Sequence, residues 1–199
     1  MESQQQVNQL ATGNAQLTAA QAQPPAPVQL ELVHLFDKMK AVKAFVFYMD
    51  GVLTNNNLLV TEAGELLRTM SVRDGQAIKW AIRAGYPVGI ITGGKSEGAK
   101  KRLTALGVTE YYSDIEHKWE AFQSFLKRTD TLLSEVCYMG DDLPDLPVLR
   151  KVVLSCCPTD AVPDVLDICD YVSPLAGGHG CVRDIIEKVM KLQDKWPEY

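Results

Sequence analysis

The stretch Lys43-Ala44-Phe45-Val46-Phe47-Tyr48-Met49-Asp50-Gly51-Val52-Leu53-Thr54 decides the fold. Its first seven residues form a short apolar run, rich in aromatic and β-branched side chains, which reads as a buried strand. Asp50-Gly51 then interrupts the run with turn chemistry. Upstream, Leu32, Val33, Leu35, Phe36 and Met39 recur at helical spacing, so a short helix precedes the strand. Residues 1–29 hold eight glutamines, one acidic residue and no lysine or arginine, and close on Pro24-Pro25-Ala26-Pro27. This composition predicts a disordered low-complexity extension, with the folded domain spanning 30–199.

Downstream, Leu58–Thr61 and Leu66–Val72 flank the turn Glu62-Ala63-Gly64-Glu65 and predict a two-strand excursion. Asp74 is placed to cap a helix that runs through Ala84 and ends at Gly85. Pro87–Ile91 reads as a strand, Ser96 opens a helix that Gly107 ends, and 117–128 is helical. Val136–Met139 is a strand, 145–150 a helical turn, and Val152–Ser155 another strand. A helix over 162–168, a short strand near Tyr171 and a helix over 181–194 complete the chain. Strands alternating with helices of 10–15 residues indicate βαβ units. The fold class is therefore α/β, a three-layer sandwich with a mostly parallel sheet.

Bulk properties narrow the function. The 199 residues suit one domain, and a net charge of −5 argues against a nucleic-acid partner. No run approaches the ~18 apolar residues of a membrane span. Five cysteines without a CxxC spacing fit reduced thiols in a cytoplasmic protein better than a disulfide framework or a zinc site. His34 and His117 lack metal-ligand spacing, and Trp80 and Trp119 sit at helical spacing among apolar neighbours and read as packing.

In parallel sheets ligands bind beyond the carboxyl ends of the strands. Four clusters are expected there: Asp50 after the first strand, Thr92-Gly93-Gly94 after Pro87–Ile91, Lys118 at a helix start, and Gly140-Asp141-Asp142-Leu143-Pro144-Asp145 after Val136–Met139. Each has an ordinary structural reading alone: a turn, a tight link, a solvated lysine, a helix cap. Together they suit a phosphoryl group with a divalent cation. Mg²⁺ takes a few carboxylates, which Asp50, Asp141 and Asp145 could supply. Thr92, the Gly93 and Gly94 amides and Lys118 could supply donors and positive charge to phosphoryl oxygens.

On these motifs the chain resembles the haloacid dehalogenase superfamily over about residues 40–194. It is similar to the capless branch that contains 3-deoxy-manno-octulosonate-8-phosphate (KDO 8-phosphate) phosphatase. The branch features are the Asn57–Val72 hairpin in place of a cap domain, Val72-Arg73-Asp74-Gly75, Ile91-Thr92-Gly93, the run Gly140–Pro147, and the tail Gly177-Gly178-His179-Gly180-Cys181-Val182-Arg183. The resemblance implies a Rossmann-like sheet and Mg²⁺-dependent hydrolysis of a sugar-acid phosphate. It makes Asp50 the acid/base and assigns Thr92, Gly93, Gly94, Lys118 and Arg73 to substrate. It makes Asp50, Asp141 and Asp142 the metal-associated acids, with Asp145 in support. It also implies a homotetramer in which a neighbouring hairpin and tail close each site.

Two positions depart from that pattern. Tyr48 stands where the resemblance calls for the nucleophilic aspartate, and a tyrosine hydroxyl, with a reference pKa near 10, is neutral at pH 7. His179 stands where an arginine is usual, and histidine does not reproduce an arginine fork. Three readings of Tyr48 stand open. The site is impaired, or some hydrolysis survives by an attack that needs no aspartate or with Tyr48 as an unusual nucleophile, or Tyr48 is an engineered change or sequence error in an active phosphatase, since aspartate and tyrosine codons differ by one base. A non-catalytic assembly or regulatory subunit is the alternative function.

Overall fold

The computed structural model describes residues 28–198. Helix α1 (Val28–Ala41) begins two residues inside the expected extension, the remainder of which lies outside the described residues. After Lys43, whose amide bonds to the Glu135 carbonyl at 2.6 Å, the chain enters β1 (Ala44–Tyr48). The period-two alternation of a strand decides what each side chain meets. Phe45 and Phe47 enter one apolar cluster, Ala44 and Val46 enter the other, and all four are fully buried. Full burial of each large side chain is worth roughly 1.5–3 kcal/mol.

A tight turn over 49–53 follows, and then a minimal hairpin, β2 (Leu59–Val60) antiparallel to β3 (Leu66–Leu67). The second hairpin strand, expected to reach Val72, stops at Leu67. The reason lies in Ser71, whose hydroxyl accepts the Asp74 amide at 3.2 Å and caps α2 (Val72–Arg83). Ser71, not Asp74, is the cap, and Asp74 lies inside the first turn.

The remaining elements are β4 (Val88–Ile91), α3 (Glu97–Ala105), β5 (Glu110–Tyr112), α4 (Lys118–Thr129), β6 (Val136–Met139), α5 (Leu146–Leu149), β7 (Leu154–Cys157), α6 (Pro163–Leu166), β8 (Tyr171–Val172) and α7 (Cys181–Leu192). β7 starts two residues later than its apolar run suggests. The Val153 amide is taken by the Leu133 carbonyl at 3.0 Å, so ladder pairing begins with Leu154 opposite Cys137. Cys137, Cys156, Cys157, Cys169 and Cys181 are all free thiols.

The six-stranded sheet has the order β5-β4-β1-β6-β7-β8, with every neighbouring pair parallel. Side chains of α1, α2, α3 and α7 fill the cluster on one face, and those of α4, α5 and α6 fill the cluster on the other. The chain builds β4 and β5 on one side of β1, then returns to lay β6, β7 and β8 on the other. That reversal opens a crevice at the carboxyl ends of β1, β4 and β6, the place where such sheets bind ligands. No helix among the described residues is long and apolar enough to cross a membrane.

Candidate functional site

Tyr48 ends β1, and the backbone turns sharply behind it. Gly51 adopts φ +99°, and the Thr54 amide closes the turn on the Met49 carbonyl at 3.1 Å. Only glycine fits here: besides the left-handed φ, a Cβ at residue 51 would lie 2.0 Å from Asp141 Oδ2. The turn thus brings the backbone after β1 against the acidic loop after β6.

Asp50 projects from this turn and is held by Arg68, just beyond β3. Arg68 Nε donates to Asp50 Oδ1 at 2.7 Å and Nη2 to Oδ2 at 3.1 Å, a two-point fork from a side chain only 6% exposed. This fork holds the guanidinium above its usual pKa range. Thr54 Oγ1 adds a longer bond to Asp50 Oδ1, at 3.4 Å. Gly94 makes room for the arginine, since a Cβ there would stand 3.0 Å from Arg68 Nη2 and 3.4 Å from Asp50 Oδ2. The neighbouring Thr92 is fully buried at the end of β4, where its hydroxyl accepts the Gly94 amide at 3.2 Å.

The opposite side of the crevice is organised by Asp145, which is completely buried. Its Oδ1 accepts Lys118 Nζ at 2.7 Å and the Tyr138 hydroxyl at 2.5 Å, and its Oδ2 accepts the Asp141 and Asp142 amides at 3.2 and 3.3 Å. Asp145 therefore shapes the acidic loop from within. Asp142 turns away to cap the next turn, accepting the Leu143 amide at 2.7 Å. Asp141 accepts Asn56 Nδ2 on Oδ2 at 2.9 Å, while its Oδ1 is buried without a partner. Burial, reinforced by the Asp145 and Asp142 charges, pushes the Asp141 carboxyl up to about 6 despite the Asn56 bond.

Lys118 opens α4 and is 6% exposed. Besides Asp145 it meets the ring of Tyr48, whose centre lies 3.3 Å from Nζ, well inside cation–π range. Burial first, and then the charges of Asp50, Asp145, Asp141 and Asp142, push the Tyr48 hydroxyl up to about 12. At neutral pH it is a neutral phenol.

The crevice thus gathers Tyr48, Asp50, Thr92, Gly94, Lys118, Asp141 and Asp145. Arg73 is elsewhere, exposed near the start of α2 and lining a cleft with Leu175, His179 and Arg183. Arg68, Asn56 and Tyr138 were not singled out from sequence. Arg68 carried a signal: an arginine within a short apolar strand pattern needs a carboxylate if it is to be buried. Tyr138 carried a comparable one, because a buried tyrosine hydroxyl in a central strand needs an acceptor.

The donor set also bears on a divalent cation. The orphaned Oδ1 of Asp141 has the character of a vacant metal ligand. However, both oxygens of Asp50 are engaged by Arg68, Asp142 faces a backbone amide, and Asp145 is saturated. Among the described residues no three His, Cys, Asp or Glu side chains converge in a set that could hold a metal ion. In this arrangement the residues do not fit Mg²⁺.

A parallel α/β sheet with a two-stranded hairpin instead of a cap, and polar clusters at the carboxyl ends of its central strands, is the architecture of capless haloacid dehalogenase hydrolases of subfamily IIIA. A structure from Legionella pneumophila described as a hydrolase of that subfamily superposes with a TM-score of 0.82 at 34% identity, covering 84% of this chain and 92% of the other. The KDO 8-phosphate phosphatase KdsC of Escherichia coli K12 is 35% identical over 161 residues, 81% of this chain and 86% of its own length. The chain belongs to the 3-deoxy-D-manno-octulosonate 8-phosphate phosphatase family. The Moraxella catarrhalis phosphatase, whose structure contains a magnesium ion, phosphate and KDO, superposes with a TM-score of 0.78 at 28% identity, covering 80% of this chain and 92% of that one. No family model matches the chain.

Proposed function

We propose that this chain is a phosphatase-fold protein impaired in catalysis, with Tyr48 at the position of the covalent nucleophile. The observation that carries the reading is the Tyr48 side chain itself: at the carboxyl end of β1, two residues before Asp50, its ring lies directly beneath the Lys118 ammonium. A covalent phosphatase needs there a short anionic carboxylate that attacks phosphorus and leaves the lysine free for phosphoryl oxygens. A neutral phenol with a raised pKa is a poor nucleophile at pH 7, and its ring occupies the lysine's approach. The substrate class of the fold is a sugar-acid phosphomonoester, after the KDO 8-phosphate phosphatases to which the chain is related. The related proteins and the cysteine usage support a cytoplasmic location.

The test is phosphate release at saturating Mg²⁺ from a panel of sugar phosphates including KDO 8-phosphate. Loss of a covalent nucleophile removes on the order of 10⁴–10⁶ in rate. The native chain is expected to be silent and Tyr48→Asp to turn over. Turnover by the native chain at a rate comparable to Tyr48→Asp overturns the reading.

A second reading, a non-catalytic assembly or regulatory subunit, is favoured by the hairpin. Leu59, Val60, Leu66 and Leu67 are all exposed there, and Val72 beside them is 76% exposed. Exposed apolar surface of this kind marks contact surfaces. It is consistent with a homotetramer in which neighbouring hairpins meet.

A further inference from the structure

We infer that the glycine pair Gly177-Gly178 is a positioning element for Asp50, acting from behind the turn that follows β1. The inference rests on the reading of Asp50 as the acid/base of a phosphatase site. It concerns how that turn is held within its own subunit.

The turn over 49–53 departs from helical geometry at Asp50, with ψ 112°, and at Gly51, with φ +99°. A backbone of that shape cannot close all of its own hydrogen bonds, and a buried carbonyl without a donor is costly. Val52 is fully buried and finds its donors in the segment that leads into α7. The Gly178 amide reaches the Val52 carbonyl at 2.9 Å and the Cys181 thiol reaches it at 3.3 Å. The Gly177 amide is held in turn by Asp160 Oδ1 at 2.9 Å, in the loop after β7. α7 is anchored where the Arg183 amide donates to Asp74 Oδ1 at 2.7 Å. The turn that carries Asp50 is thus tied to α7 and to the loop after β7.

Only glycine allows this contact. A Cβ at residue 177 would lie 2.0 Å from the Gly51 carbonyl oxygen and 2.8 Å from that of Thr54. At residue 178, where φ is +71°, a Cβ would lie 2.8 Å from both the Asn55 amide nitrogen and the Thr54 carbonyl carbon. These are backbone atoms, which cannot rotate aside as a side chain can. Asp141 fills the space on the other side of Gly51, so the turn is held between the glycine pair and the acidic loop. A side chain at 177 or 178 must therefore shift the turn and Asp50 with it. A misplacement of about 1 Å can cost on the order of a hundredfold in rate, even when its source lies away from the chemistry.

The experiment is hydrogen exchange of the full chain, followed in the segment 49–55, where the Thr54 amide bonds to the Met49 carbonyl at 3.1 Å. Gly178→Ala is expected to speed exchange there at least about tenfold, with β4 and β6 unchanged. Gly85→Ala is the control. Gly85 has φ +89° but nothing within 4 Å of its Cβ position, so it carries the backbone strain without the contact and leaves 49–55 at the native rate. Cys181→Ala removes one weak donor to Val52 and adds no atom. It is expected to speed exchange in the same segment, and it serves should Gly178→Ala lose its fold by circular dichroism. In Tyr48→Asp, Gly178→Ala is expected to lower kcat at least about tenfold and to leave KM within about twofold. The groups offered to phosphoryl oxygens, Thr92 and Lys118, stand apart from the turn at the end of β4 and the start of α4. Native exchange rates in 49–55 of the folded variants overturn the inference, as does an undiminished kcat in an active Tyr48→Asp. Should Tyr48→Asp be silent, the reading of the phosphatase site fails and the exchange rates alone decide the positioning.

Discussion

The Lys118 ammonium stands 3.3 Å from the centre of the Tyr48 ring and 2.7 Å from Asp145 Oδ1, held between an aromatic face and a buried carboxylate. This contact ties the first strand to the acidic loop through a residue of α4. The aromatic half of it depends on the ring and not on the hydroxyl. Tyr48→Phe is expected to change unfolding stability by less than about 0.5 kcal/mol, and Tyr48→Leu to cost about 1–2 kcal/mol through the lost cation–π contact and packing. Lys118→Met is expected to cost more, about 3–5 kcal/mol, because it leaves the Asp145 charge buried beside the Tyr138 hydroxyl. Urea unfolding of the three variants orders these contributions. Equal losses for Phe and Leu at residue 48 would contradict the role of the ring.

Much of this site is legible in the sequence. The alternation of Phe45 and Phe47 against Ala44 and Val46 defined β1, and β6 falls on Val136–Met139 as its apolar run indicates. Both are central strands, where burial on two faces leaves one reading. β7 was misplaced by two residues because Val152 and Val153 look like strand but are held by a turn, with the Val153 amide on Leu133. The acidic loop was legible as a cluster, but the division of labour within it was not. Sequence cannot tell that Asp145 points inward to four donors while Asp142 caps the next turn. Arg68 and Arg73 are the clearest case. They lie five residues apart on either side of Ser71, and only the point at which the hairpin gives way to α2 decides which reaches Asp50.

Asp74 gives the fold a pH dependence of its own. Its Oδ1 accepts the Arg183 amide at 2.7 Å, joining α2 to α7, while its Oδ2 is buried without a partner. Burial outweighs the hydrogen bonds and raises its pKa above the ordinary carboxylate value. Below the unfolded value, about 4, both states hold the proton and the contribution to stability is full. As pH rises through the raised native value, the buried carboxyl must ionise and that contribution is lost. Asp74→Asn removes the charge and retains the acceptor. Relative to the native chain it is expected to gain stability as pH rises above about 4, until the raised native pKa is passed, and to hold a constant advantage beyond it in urea titrations. A difference that stays the same at every pH above about 4 as it is below would contradict this account.

The hairpin makes the last prediction. A two-residue strand pair buries little, yet Leu59, 66% exposed, and Leu67, 46% exposed, stand opposite each other across its ladder. Such a pair is stable only where something covers its apolar side chains. Neighbouring copies of the hairpin would meet that need, and each subunit would then steady the segment that carries Arg68. Sedimentation of the full chain is expected to give a tetramer, and Leu59→Glu with Leu67→Glu a monomer of unchanged circular dichroism. A monomeric native chain would refute the interface.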